Sequence, residues 1–234
     1  FYDININVKL KFNSMKKLLI VLMFIAPLFA NAQEYGNLTS KDSLNINMAS
    51  SQTVVDSIME ANLKKEQITV IGGIPFGISR EKALPVLRNK YGTEDYLSDN
   101  KDIVFKNIKY AGVDFNSVYF LFQSDGINSY FNACIFILNA KTKKEAIDKQ
   151  EEMRDLLSKK YDLSSFTDDN GFDLYVGGVS PLWNGSWKSF LEGNYAGAVH
   201  IDIINYDEEL AKNAGFEYSV RIIYGPFDYV KEEF

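Results

Sequence analysis

The chain has 234 residues, 46% hydrophobic, 14% aromatic and 24% charged, with a formal net charge of −6. That composition excludes a disordered tail and a collagen-like repeat, and a single cysteine excludes an internal disulfide framework. With 31 acidic against 25 basic residues, a broad basic nucleic-acid surface is excluded too. One histidine and one cysteine leave little for the metal and nucleophile constellations built on those residues, so neither a cofactor, a metal nor a catalytic residue is assigned.

Met15-Lys16-Lys17 opens a basic segment, followed by a 12-residue apolar run from Leu18 to Phe29 and by Ala30-Asn31-Ala32. The order basic, apolar, small-x-small is that of a secretory signal peptide, with cleavage between Ala32 and Gln33. The run is too short to span a bilayer, which takes roughly 20 residues. Residues 1–14 lie upstream of Met15 and read as upstream translation. No cysteine stands at the cut, so a lipid anchor is not expected, and no transmembrane anchor remains after cleavage. The leader holds four lysines and one aspartate; its loss leaves 202 residues at −9. The Ala-Asn-Ala-Gln junction resembles those of exported proteins of Gram-negative Bacteroidetes, which implies a secreted or periplasmic protein.

Residues 33–50, rich in Asn, Ser, Thr and Asp, read as a flexible lead-in, and Val54, Val55, Ile58, Met59 and Leu63 then recur at helical spacing to about Lys65. Asp42-Ser43-Leu44 and Asp56-Ser57-Ile58 resemble Bacteroidetes O-glycosylation sites at Ser43 and Ser57. A first α+β unit is expected over 67–140. It starts with a short strand at Gln67–Ile71 closed by Gly72-Gly73. Ser79 then caps a helix carrying Ala83, Leu84, Leu87 and Tyr91, with Gly92 as its terminator. Pro85 predicts a kink or a late start. Ile103–Tyr110, Val113–Gln123 and Ile127–Leu138 read as strands, the last two joined in a hairpin through Ser124-Asp125-Gly126. The apolar run Val118–Phe122 predicts a strand covered on both faces. Cys134, inside the third run, reads as a buried small hydrophobe.

A second α+β unit is expected over 141–234. Thr142-Lys143-Lys144-Glu145 is a capping box opening a helix to about Tyr161. Val199–Tyr206 and Phe216–Tyr224 form a second hairpin. Phe105–Gly112 and Phe190–Gly197 share F-x-x-x-x-Y-A-G, and Leu87–Tyr91 and Leu157–Tyr161 end the two helices in similar phrases. Together these predict an α+β fold of two similar units, each a helix followed by about three antiparallel strands, with the helices packed on one sheet face. This arrangement resembles the beta-lactamase-inhibitor-protein-like and outer-membrane-assembly-lipoprotein (SmpA/OmlA-type) architecture. The phrase Ile74-Pro75-Phe76-Gly77-Ile78-Ser79-Arg80-Glu81-Lys82-Ala83, followed by Leu87 and Tyr91-Gly92, resembles a motif of small secreted Bacteroidetes proteins. No functional residue is carried over from either resemblance.

Residues 168–188 read as an aromatic insertion in the second unit. Asp168-Asp169-Asn170-Gly171 is a turn, lacking the spacing and bidentate Glu of a calcium loop. Asn184-Gly185 predicts a two-residue hairpin turn that points Trp183 and Trp187 to opposite faces. An exposed indole near Tyr175 and Tyr195 would anchor a protein partner or stack on a sugar. His200 and Asp202 share one strand face and supply the acid/His pair of a hydrolase alternative. The expected function is therefore an exported, non-enzymatic binding or interaction protein whose partner is an envelope or extracellular protein or a glycan, not nucleic acid. The alternatives are a carbohydrate-binding protein using Trp and Tyr, and a hydrolase.

Overall fold

The computed structural model describes residues 40–99, 101–124, 126 and 129–229. The leader, the cleavage junction Ala32/Gln33, and the side chain of Ser43 lie outside the described residues. The fold is α+β, built on one antiparallel sheet. Helix α1 (Ser40–Glu66) is followed by the small hairpin β1 (Val70–Ile71) and β2 (Ile74–Pro75), then α2 (Arg80–Tyr91). Next come β3 (Asp102–Tyr110), β4 (Val113–Ser124) and β5 (Ser129–Ala140), then α3 (Lys143–Leu157). The rest is β6 (Ser164–Thr167), β7 (Asp173–Val179), α4 (Trp187–Glu192), β8 (Ala196–Asn205), α5 (Glu208–Ala214) and β9 (Tyr218–Tyr224).

Seven strands form the main sheet in the order β3-β4-β5-β9-β8-β7-β6. Two meanders thus meet where β5 pairs with β9, Phe136 opposite Ile222 and Cys134 opposite Tyr224. Strand neighbours point to the same side, so the pairing defines each face. On one face Phe105, Val118, Phe136, Ile222, Ile201 and Tyr175 make a continuous row across six strands. All six are buried, in one cluster with Ala83 and Leu87 of α2 and Ala146 and Met153 of α3. Both long helices of this part therefore cover the same face. Fully burying such side chains stabilises by about 1.5–3 kcal/mol each.

Several expectations change. Helix α1 starts at Ser40, so the backbone of residues 40–50 is helical rather than a flexible lead-in. Ser79 occupies the N-cap of α2 without accepting a backbone N–H; its hydroxyl engages the Glu81 carboxyl instead. Pro85 is accommodated without shortening α2. In β4, Val118, Phe120 and Phe122 are buried whereas Tyr119 and Leu121 are only half-buried, so the apolar run is covered on one face, not both. Within the stretch 168–188, β7 is a strand of the main sheet and pairs on both sides. Asn184-Gly185 turns no hairpin: Ser186 caps α4, and Trp187 is its first residue. Nor do the two F-x-x-x-x-Y-A-G phrases coincide, since Phe105 lies in β3 and Phe190 in helix α4.

Candidate interaction surface

The other face of the sheet carries no helix from this core. Its central row is Val104, Tyr119, Ile135, Ile223, His200 and Val176, one residue from each of six adjacent strands. The next row is Lys106, Ser117, Ile137, Arg221 and Asp202. Leu121 and Ala133 pair beside the central row, on β4 and β5. Tyr119, Leu121, Ile135, Ile137, Ile223 and Val176 are each half-buried, whereas Val104, Ser117 and Ala133 on the same face are buried. An antiparallel sheet facing water on one side ordinarily alternates apolar with polar residues. Here both faces are apolar at the centre, and that departure marks the second face.

Arg221, Asp202 and Lys106 on this face are ion-paired, whereas Asp102, opposite Leu121, has no ion-pair partner among the described residues. Arg221 reaches Asp202 through two guanidinium nitrogens, Nε to Oδ1 at 2.9 Å and Nη2 to Oδ2. Their side chains are 19% and 23% exposed. Lys106 Nζ lies 3.3 Å from Asp95 Oδ2. His200 Nε2 is 2.6 Å from the Gly197 carbonyl oxygen, which accepts a hydrogen bond from its N–H. Burial holds His200 below the ordinary imidazole value, against the opposing pull of the Gly197 bond and Asp202. Neutral at pH 7, with Nε2 protonated, the ring presents Nδ1 as an acceptor.

Of the four aromatics singled out from sequence, Tyr175 and Trp183 are buried and Trp187 and Tyr195 half-buried. Tyr175 is buried on the helix-covered face, its hydroxyl donating to Asp173 Oδ2 at 3.3 Å and accepting from Arg154 Nη1 at 3.4 Å. The Arg154 guanidinium also lies over the ring, 5.5 Å from its centroid. Trp183 is only 5% exposed and its indole N–H donates to the Ser186 carbonyl at 2.9 Å. Trp187 stacks on Phe190 at 5.5 Å, and its backbone N–H donates to Glu60 Oε1 of α1. Tyr195 is half-buried with its ring over Gly193, where a Cβ would stand 2.2 Å from the ring. Gln67 ties the end of α1 to this loop by donating to the carbonyls of Ser180, Pro181 and Trp183. The loop is thus closed by its own hydrogen bonds, and two of the four aromatics are inaccessible. Ser57 is exposed on α1, within helical backbone.

The missed residues, Tyr119, Ile135, Ile137, Arg221 and Ile223, carried a readable signal. Each alternates with a buried core position of its own strand, and nearly all are apolar although they fall on the second face. His200 and Asp202 do share a face, but Asp202 is bonded to Arg221 and His200 to Gly197, not to each other. Among the described residues no group of three or more His, Cys, Asp and Glu is gathered as metal ligands. Among the same residues no helix is long and apolar enough to cross a membrane. No family model matches the chain, and neither a curated protein nor a solved structure matches it.

Proposed function

We propose that the protein is an exported binding module, without catalysis of its own, that takes the surface of a folded protein onto the open face of its sheet. The observation that carries this is the apolar row Tyr119, Ile135, Ile223 and Val176, half-buried and covered by no helix among the described residues, with the Arg221–Asp202 pair matched beside it. Apolar contact supplies affinity there, and pre-paired charges spare a partner the cost of leaving an ion unmatched. Scale supports a macromolecule. Seven strands at about 4.8 Å spacing and about seven residues of length give on the order of 800 Å², the area per partner of a standard protein interface. Export rests on the leader-like order of Met15 to Ala32. The tandem reading of the fold draws support from α2-β3-β4-β5 and α3-β7-β8-β9 meeting at the β5–β9 pair.

Affinity capture from envelope and culture-medium fractions tests the proposal. The pair Ile135→Lys/Ile223→Lys, checked for retained fold by circular dichroism, loses the captured protein, whereas Trp187→Ala keeps it. Equal capture by the folded lysine variant would remove the open face from the function.

A further inference from the structure

The chain contains two Asn-Gly dipeptides, Asn170-Gly171 and Asn184-Gly185, both exposed, and the fold treats them differently. We propose that Asn184 is a self-modification site, converted through a succinimide to aspartate and isoaspartate by the protein's own backbone, and that the fold selects it over Asn170.

In this reaction the backbone nitrogen of the following glycine attacks the asparagine Cγ. The Oδ1 oxygen carries negative charge in the tetrahedral intermediate, the glycine N–H proton is given up to solvent, and the side-chain NH2 takes a proton back from solvent and leaves as ammonia. Water then opens the five-membered imide at either carbonyl, giving aspartate or isoaspartate. No redox partner is needed, and water is the only co-reactant.

Three features of Asn184 favour this course. Its Oδ1 accepts from the Ser186 backbone N–H at 3.2 Å and from the Ser189 hydroxyl, whose one proton is shared with the Ser186 carbonyl oxygen at 2.7 Å. Those two donors polarise the carbonyl and face the oxygen on which charge develops, as donors in an oxyanion hole do. The nucleophile is unengaged, for no described residue accepts a hydrogen bond from Gly185 N–H. Gly185 stands in open space at φ +84°, with nothing within 4 Å of where a Cβ would be, so the attacking nitrogen is unhindered.

Asn170 lacks these features. Gly171 N–H donates to the Asp168 carbonyl at 3.1 Å, holding the nucleophile in the turn. No described donor reaches Asn170 Oδ1, while Asn170 N and Phe172 N donate to Asp168 Oδ1. The chain therefore carries its own control.

Conversion has a structural consequence. Aspartate at 184 adds a negative charge beside the cap of α4. Isoaspartate places an extra carbon in the main chain, withdrawing the oxygen from Ser186 and Ser189. Ser186 is also the residue whose carbonyl holds the Trp183 indole, so the isoaspartate form is expected to alter tryptophan emission.

The experiment is incubation of the folded protein at mildly alkaline pH, followed by fragmentation mass spectrometry of the tryptic peptide 161–188, which contains both sites. Asn184 is expected to gain the mass of an NH2-to-OH exchange about tenfold faster than Asn170, and the two rates to converge in denaturant. Ser189→Ala slows Asn184 by a similar factor and leaves Asn170 unchanged, while Ser189→Thr restores the rate. If Ser189→Ala unfolds the loop more widely, Asn170 accelerates towards its denatured rate, and the threonine variant alone decides. The proposal is overturned if Asn170 converts as fast as Asn184 in the native protein, if the preference persists in denaturant, or if Ser189→Thr behaves as an inert replacement.

Discussion

The side chains on the open face do opposite things to stability and to recognition. The Arg221–Asp202 pair, each side chain about one-fifth exposed, is partly desolvated and held by a two-pronged contact. Arg221→Met is expected to cost about 1–2 kcal/mol in denaturant unfolding, because it leaves the Asp202 carboxylate half-buried without its donors. Adding Asp202→Asn should recover part of that loss; a double variant no more stable than the single would show that the ion pair contributes little. His200 gives a separate pH signature. Its folded value lies below the ordinary imidazole value, near 6.5, that the unfolded chain has. Unfolded molecules therefore bind a proton that folded ones refuse. The contribution is full above about pH 6.5 and falls as pH drops through that value towards the folded one, then levels off. Wild type minus His200→Gln, compared by urea unfolding from pH 8 down to 4.5, should show stability falling faster with acid in the wild type. Parallel pH curves for the two proteins would contradict that assignment.

Among the elements, α3 was the most legible in the sequence. Thr142 Oγ1 accepts from Glu145 N at 3.2 Å as a capping box requires, although the Glu145 carboxylate returns to Lys141 N rather than to Thr142 N. Thr142→Ala should cost about 1 kcal/mol and lower the melting temperature by about 2–4 °C, whereas Thr142→Asp, which still caps, should keep most of the stability; an unshifted transition for the alanine variant would mean that the cap is redundant. Strands β3, β4 and β5 and the β8–β9 hairpin were also readable, because their apolar runs are long and bounded by turns. What could not be read had physical reasons. Strand β6 (Ser164–Thr167) is short and polar, and its identity as a strand comes from pairing along its whole length with β7 at the edge of the sheet. Asn184-Gly185 has the composition of a hairpin turn, but Ser186 follows it and caps a helix instead. Tertiary contact decided both. The binding aromatics were misplaced for a related reason. Sequence shows that an aromatic is present, not whether a loop closes over it, and the Trp183–Ser186 bond and the Gly193 contact with Tyr195 are made only in the fold. Gly193 tests this directly. Since a Cβ there would stand 2.2 Å from the Tyr195 ring, Gly193→Ala should swing that ring outward, raising its accessibility to chemical nitration. Unchanged nitration would mean that the loop backbone moves instead.

Taken whole, the molecule poses a question of cooperativity that its tryptophans can answer. The two meanders share one sheet and one buried cluster, and Phe136 stands at their seam. Its ring stacks on Tyr110 at 4.7 Å, tilts against Phe115 at 5.0 Å, and meets Tyr224 edge-on at 6.2 Å, so it contacts both meanders. Both tryptophans, however, lie beside the second meander, between β7 and β8. Phe120 of β4 packs on Tyr91, Phe105 and Phe131, all in the first meander and the helix before it. Phe120→Ala should destabilise the protein by about 3–5 kcal/mol, the range for truncating a buried phenylalanine. If the seam couples the halves, tryptophan emission and far-ultraviolet circular dichroism will report one coincident transition, displaced equally by this remote substitution. A tryptophan transition that keeps its wild-type midpoint while the dichroism splits would show that the second meander folds alone. The first outcome is the one expected, because separating the halves breaks the β5–β9 ladder and exposes Phe136, Ile222 and Tyr224 together. An open face needs that coupling: its central row crosses the seam between Ile135 and Ile223, so only a rigid junction keeps it a single surface for a partner.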